Sequence, residues 1–214
     1  MARLTVVLVA LSALRRVLRP ALCAALLPLC LWCAIGHAQV TPAPLAPGEY
    51  GLDPAQSRFG FEIRTRFGQR IEGFFPRYEG TVHVLPDGRH QVQLRLFTAY
   101  VEIPGKPRYT GWMRGEDFFD APRYPTVSFD SQPFSPQVLG KGGPVPGTLS
   151  IRGISHAETL TVMPAACTRP GYDCDVISRG TVLRGRYGMD KWDLALSDRV
   201  TFVLRARLTE AAPR

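Results

Sequence analysis

Apolar and polar residues alternate with a period of two along most of this chain. Phe59, Phe61 and Ile63 alternate with Gly60, Glu62 and Arg64, and Val82 and Val84 with Thr81 and His83. Val92, Leu94 and Leu96 alternate with Gln91, Gln93 and Arg95, and Val127 and Phe129 with Ser128 and Asp130. The same rhythm sets Leu149 and Ile151 against Ser150 and Arg152, and Leu160 and Val162 against Thr159 and Thr161. Leu183 and Tyr187 alternate with Arg184 and Arg186; Phe202, Leu204, Ala206 and Leu208 are spaced by Val203, Arg205 and Arg207. In extended chain this spacing gathers the apolar side chains on one face. About eight such strands, with turn signals such as Pro86-Asp87-Gly88 between them, predict an all-β antiparallel sandwich or barrel. The length, 214 residues, suits one domain, and the 20 Gly and 19 Pro are spread out as turn residues.

One segment breaks the rhythm. Between Pro107 and Asp120, the residues Tyr109, Trp112 and Met113 fall at helical spacing. A short helical insertion near residues 107–120 would lay this apolar face on the strands, as a lid sealing one end or as a plug on a cavity. An eight-stranded barrel is either filled by its own side chains or holds one small ligand, as lipocalins do. Alternation alone leaves that choice open. It also leaves open which face points inward, and a small outer-membrane barrel would turn its apolar face to lipid. The charge-rich insertion, the short strands and the mixed Arg, Glu, Asp and Gln faces argue for a barrel in water.

The first 38 residues have the order of a secretory signal. Arg3, Arg15, Arg16 and Arg19 are their only charges, the run from Ala21 to Ile35 is uncharged, and Gly36-His37-Ala38 offers a cut before Gln39. The alternative is a retained anchor, for which the uncharged run is short. Residues 39–47, with three prolines, read as a linker, and residues 48–210 as the barrel domain. The expected location is the periplasm. Losing four Arg and no acid would lower the net charge from +8 to +4. The remaining basic residues are dispersed, so no nucleic-acid footprint is present, though a transient pull to anionic membrane surfaces remains open. Two cysteines would survive cleavage. Cys167 and Cys174 flank a turn at Pro170-Gly171, which in an exported chain predicts a disulfide over a metal site or free thiols.

Catalytic motifs are missing from the sequence. It has no Gly-x-Ser-x-Gly elbow, no His-Glu-x-x-His helix and no phosphate-cradling glycine loop. His83 and His90 flank the Pro86-Asp87-Gly88 turn and read as solvated hairpin residues that lack a third metal ligand. Asp117 and Asp120 read as partners for Arg114 or Arg123, or as turn caps. The expectation is therefore no catalytic residue, no metal and no cofactor beyond a bound lipid.

Several stretches resemble the YceI-like family of polyisoprenoid-binding, lipocalin-like proteins. They are Tyr50-Gly51-Leu52-Asp53-Pro54 with Ser57 and Phe61, Gly73-Phe74-Phe75 with Gly80, and Asp117-Phe118-Phe119-Asp120 with Tyr124-Pro125 and Phe129. Gly147-Thr148-Leu149-Ser150-Ile151-Arg152-Gly153 and Arg186-Tyr187-Gly188-Met189 complete the set, in family order from about Tyr50 to Leu208. The chain departs from the family at Gln56 and Thr65, where the family has His, and at Trp112-Met113-Arg114-Gly115, where it has His-Leu-Arg-Ser. The resemblance implies an eight-stranded lipocalin-like barrel that takes an isoprenoid lipid, of quinone-tail or polyprenyl-phosphate type, as a periplasmic carrier or store, working as a monomer or homodimer. The wall residues it implies are Phe59, Phe61, Ile63, Leu94, Leu96, Phe129, Leu183, Tyr187 and Phe202. Phe74, Phe75, Trp112, Phe118 and Phe119 would form a mouth or plug. Two other classes stay open, a structural barrel without ligand and a lipid isomerase or cyclase.

Overall fold

The computed structural model describes residues 45–209. The expected signal, residues 1–38, and most of the linker lie outside the described residues. Ten strands form one antiparallel sheet: β1 (Gly48–Gly51), β2 (Arg58–Thr65), β3 (Arg70–Phe74), β4 (Tyr78–Val84), β5 (His90–Phe97), β6 (Thr126–Ser131), β7 (Gly143–Ile151), β8 (Ile154–Val162), β9 (Val176–Leu183) and β10 (Leu196–Ala206). Two short helices, α1 (Pro107–Arg114) and α2 (Gln137–Lys141), interrupt the meander.

The spatial order is β1-β4-β5-β6-β7-β8-β9-β10-β2-β3. Strands β4 to β10 follow the chain, and the hairpin β2–β3 docks on β10. The sheet curls until strands near its two ends meet. Phe59 of β2 packs edge-on against Tyr78 of β4 with ring centroids 4.5 Å apart, and a single bridge joins Leu52 to Leu208. The result is a lipocalin-like all-β barrel.

Turn chemistry accounts for the hairpins. Arg152 and Gly153, both at positive φ, make the two-residue β7–β8 turn whose twist suits antiparallel strands. At 86–88 the Asp87 carboxylate accepts the backbone N–H of Arg89. Two glycines serve close packing instead. A Cβ on Gly73 would sit 2.4 Å from the Phe61 ring, and one on Gly147 would sit 2.5 Å from the Phe129 ring. Each ring therefore lies flat over a neighbouring strand.

Inner faces carry the apolar sets expected from alternation, including Phe59, Phe61 and Ile63 on β2 and Leu94 and Leu96 on β5. This is the reverse of a barrel that turns apolar residues to lipid. Among the described residues the strand count is ten, where eight were expected. β1 and β3 are short edge strands, and GEYG and RIEGF show no clear alternation.

The expected strand through Leu183 and Tyr187 also differs. β9 ends at Leu183, and residues 184–187 form a 3₁₀ turn. Along β9 the inner face is Ser178, Gly180 and Val182, so Leu183 points outward and is 40% exposed. The 3₁₀ turn then buries Arg184, which alternation had assigned to solvent. Cys167 and Cys174 are joined in a disulfide.

Candidate functional site

The interior holds a row of apolar cavities. At the end covered by α2 lies a space of about 110 Å³, and at the end covered by α1 one of about 330 Å³. Two narrow spaces of about 20 and 30 Å³ lie between them. Neighbouring spaces share walls. Leu94, Phe129, Leu160 and Leu204 bound the first two, Val182 and Phe202 the middle two, and Ile63, Met113 and Phe118 the last two. A space lined so uniformly by hydrocarbon offers water few partners and favours apolar content.

Strand alternation puts most of the expected wall residues there. Phe59, Leu94 and Phe129 line the α2-end cavity, Leu96 and Phe202 the waist, and Phe61 and Ile63 the space beyond it. Of the expected mouth residues, Phe118 and Trp112 line the α1-end cavity and Phe119 the narrow space next to it. Phe75 is buried between Phe61 and Phe119, with centroids 5.8 and 5.6 Å away, and lines none of these spaces itself. Phe74 lines none of these spaces and instead pairs by its backbone with Glu102.

Two wall assignments are corrected. Leu183 faces solvent for the reason given above. Tyr187 is buried but borders none of these four spaces. Its hydroxyl donates to Glu158 at 3.2 Å and its ring meets His156 edge-on. Burial, reinforced by the Glu158 carboxylate, holds its phenol far above the usual range.

The α1 end is a roofed mouth. Tyr109 stacks on Trp112 and Trp112 on Trp192, at 5.2 and 5.5 Å, while Met113 points into the barrel. The roof is tied down by polar contacts. Asp117 accepts from Lys191 Nζ at 2.6 Å and from Trp192 Nε1 at 3.2 Å, instead of pairing with Arg114 or Arg123. The Lys191 ammonium, followed by the indole N–H, holds the Asp117 carboxyl below its usual pKa. Arg114 instead donates to the carbonyl of Val101, and Asp120 sits in a turn at positive φ. Arg184, only 1% exposed, donates to the carbonyls of Ser197, Met189 and Lys191 and to the carboxylate of Asp193. Phe67, 94% exposed, and Leu194, 96% exposed, stand beside this mouth. Arg108 lies over the Trp112 ring at 4.8 Å and Lys106 near Tyr109 at 5.2 Å. Thr65, one of the departures from the family pattern, lines the mouth, whereas Gln56 donates its side-chain amide to Asp53, whose carboxylate caps that turn.

The α2 end is closed differently. Leu139 of α2, Phe134, Leu45 and the Pro170-Gly171 corner of the disulfide loop surround its cavity. Arg207 ties that loop down by donating to the Tyr172 carbonyl at 2.5 Å and to Asp175 Oδ1, just after the loop, at 2.7 Å. His90 also lines this cavity and is 4% exposed, which corrects its reading as a solvated hairpin residue. It opens β5 opposite Val84 and shares the inner face with Val92 and Leu94. His83 falls in the opposite phase and contacts Glu49 at 3.1 Å, so the two histidines do not meet. Burial without a compensating partner lowers the His90 pKa below its usual 6.5.

Wall residues the sequence reading passed over include Val145, Leu160, Val162 and Leu204, and the same alternation marks them. Phe134, Leu139 and Leu45 come from loops or a short helix, where no periodicity marks them.

A family model for the YceI-like domain matches residues 50–208. The crystal structure of Burkholderia cenocepacia BcnA is similar, with a TM-score of 0.60 and 23% identity over 72% of this chain and 98% of that one. So is a polyisoprenoid binding domain from Saccharophagus degradans implicated in plant cell wall breakdown, with a TM-score of 0.53 and 17% identity over 75% of this chain and 98% of that one. At these identities the likeness is one of fold. A search of curated proteins gave no match.

Proposed function

This chain belongs to the YceI-like family, and we propose that it binds a long isoprenoid chain inside its barrel as an exported carrier or storage protein. The observation that carries this reading is the row of apolar cavities from the α2 end to the α1 end. A barrel meant to be solid would fill such spaces, because each buried void forfeits packing energy. A prenyl tail recovers it, at about 0.8 kcal/mol for each methylene removed from water. The narrow waist suits a thin, flexible chain better than a compact ring system. The family is one of binding proteins, and the similar Saccharophagus degradans structure is described as binding polyisoprenoids. We read the chain as a binding protein and not an enzyme.

Entry and exit belong at the α1 end. Phe67 and Leu194 project there beside Arg108 and Lys106, a combination that suits brief contact with an anionic lipid surface. The signal-like order of the first 38 residues supports the periplasm as the site of this exchange.

Mass spectrometry of an organic extract tests the reading, on protein purified from its native host. A prenyl lipid in near-stoichiometric amount is expected. A lipid-free extract, together with no uptake of added prenyl lipid, overturns it. N-terminal sequencing of the exported protein should begin near Gln39.

A further inference from the structure

A hydrocarbon-filled barrel does not explain His90. Its side chain lies on the inner face of β5, is almost wholly buried, and meets Phe134 edge-on at 6.0 Å. Among the described residues, no group hydrogen bonds to its ring nitrogens. A neutral imidazole has one donor and one acceptor nitrogen, and both of His90's keep some accessible surface where they can take a partner; among the described residues the fully enclosed side-chain nitrogen without one is His83 Nε2. The other side chains around this cavity are hydrocarbon except for Ser178 of β9. No Lys, Arg, Asp or Glu lines it. A buried phosphate would therefore meet no countercharge there, and isolated buried charge is strongly disfavoured. A carbonyl or hydroxyl carries no such penalty and can pair with imidazole in either tautomer.

We infer that the α2-end cavity seats the neutral, hydrogen-bonding head group of the bound lipid, with His90 as its polar partner. This rests on the reading that the barrel holds a lipid. The tail then runs through the Leu96–Phe202 waist into the larger, mostly apolar space under α1. Burial lowers the imidazole's pKa and so favours its neutral form, which suits an uncharged partner. The site selects a prenyl alcohol or quinone over a prenyl phosphate, whose head is left for the α1 mouth.

Binding of three probes with similar twenty-carbon branched chains, geranylgeraniol, geranylgeranyl phosphate and the hydrocarbon phytane, separates these cases. Binding is followed by tryptophan fluorescence on the purified exported protein. The alcohol should bind more tightly than the phosphate. His90→Leu should weaken the alcohol about 10-fold, the worth of one hydrogen bond, and leave phytane unchanged. His90→Gln should restore much of the loss. In the wild type, adding the alcohol should shift the His90 ring nitrogen resonances, a readout that does not depend on any variant folding. Unmoved resonances, or phosphate binding as tight as the alcohol's and indifferent to His90, would overturn the head-group site while leaving lipid binding intact. If no probe binds, the lipid-binding reading itself fails.

Discussion

The two ends of the barrel are closed by different means. At the α1 end, loops and a two-turn helix cover the larger cavity, and the ties are polar: Asp117 to Lys191 and Trp192, and Arg184 to three carbonyls and Asp193. At the α2 end the cavity is smaller and its wall includes a loop closed by the Cys167–Cys174 disulfide. A covering held by a few hydrogen bonds over apolar space can part locally without unfolding the strands beneath it. A covalently closed loop has fewer ways to open. The contrast suggests one end built for passage and one for retention.

The largest effect expected is from Arg184→Met. It removes the shared donor for three carbonyls at the α1 roof, the contact to Met189 buried and those to Ser197 and Lys191 part-buried, and a buried carbonyl left unpaired costs about 1–3 kcal/mol. A loss of about 3 kcal/mol or more is expected in urea unfolding. A loss below 1 kcal/mol would show that the roof is not pinned from below. Next comes the other end. Replacing both Cys167 and Cys174 with Ser should cost about 2–3 kcal/mol by the loop-entropy estimate. Intact-mass measurement before and after reduction first checks that the bond exists; thiols that alkylate without reductant would end that comparison.

Filling the waist tests whether the two ends communicate. Leu96 is buried beside the narrow spaces, so Leu96→Trp should cost about 1–3 kcal/mol by overpacking yet fold, and should purify without lipid. Leu183→Trp, on the outer face, should retain lipid. If both retain it, the ligand does not thread the barrel.

Acid should distinguish the α2 end by a smaller margin. The folded pKa of His90 lies below its usual 6.5, so the unfolded chain takes up the proton first as pH falls. The stability associated with neutral His90 is therefore complete above about pH 6.5 and is lost progressively below it. Urea unfolding at pH 7.5 and pH 5, numbers set about that usual value, should show a larger loss for the wild type than for His90→Gln. Equal losses would mean that His90 is not the group responsible. The smallest change in stability, within about 0.5 kcal/mol, is expected for Phe67→Ser with Leu194→Ser, both fully exposed. The pair should nonetheless reduce co-sedimentation with anionic phosphatidylglycerol vesicles, and unchanged binding would remove the α1 mouth as the membrane-facing end.

Sequence by itself determined which residues share a face wherever strands keep strict alternation. Phe59, Phe61 and Ile63, and Leu94 and Leu96, could be assigned together because extended backbone leaves no other arrangement. The turn at 86–88, the pairing of Cys167 with Cys174 and the helical break near 107 were legible for similarly local reasons. Tertiary structure decided what local pattern cannot carry. β1 and β3 exist because partner strands supply their hydrogen bonds, not because GEYG or RIEGF alternate. The inner face of β9 bears Ser178 and Gly180, since Leu160 of β8 fills the space over Gly180, where an added Cβ would lie 2.5 Å away. That inverted the apparent phase and misplaced Leu183 and Arg184. His90 looked like a hairpin-tip residue, but the ladder begins at it and turns its ring inward. Whether the interior is filled or hollow depends on strand number, curvature and the side chains that meet across the barrel, and these are set only when the sheet closes.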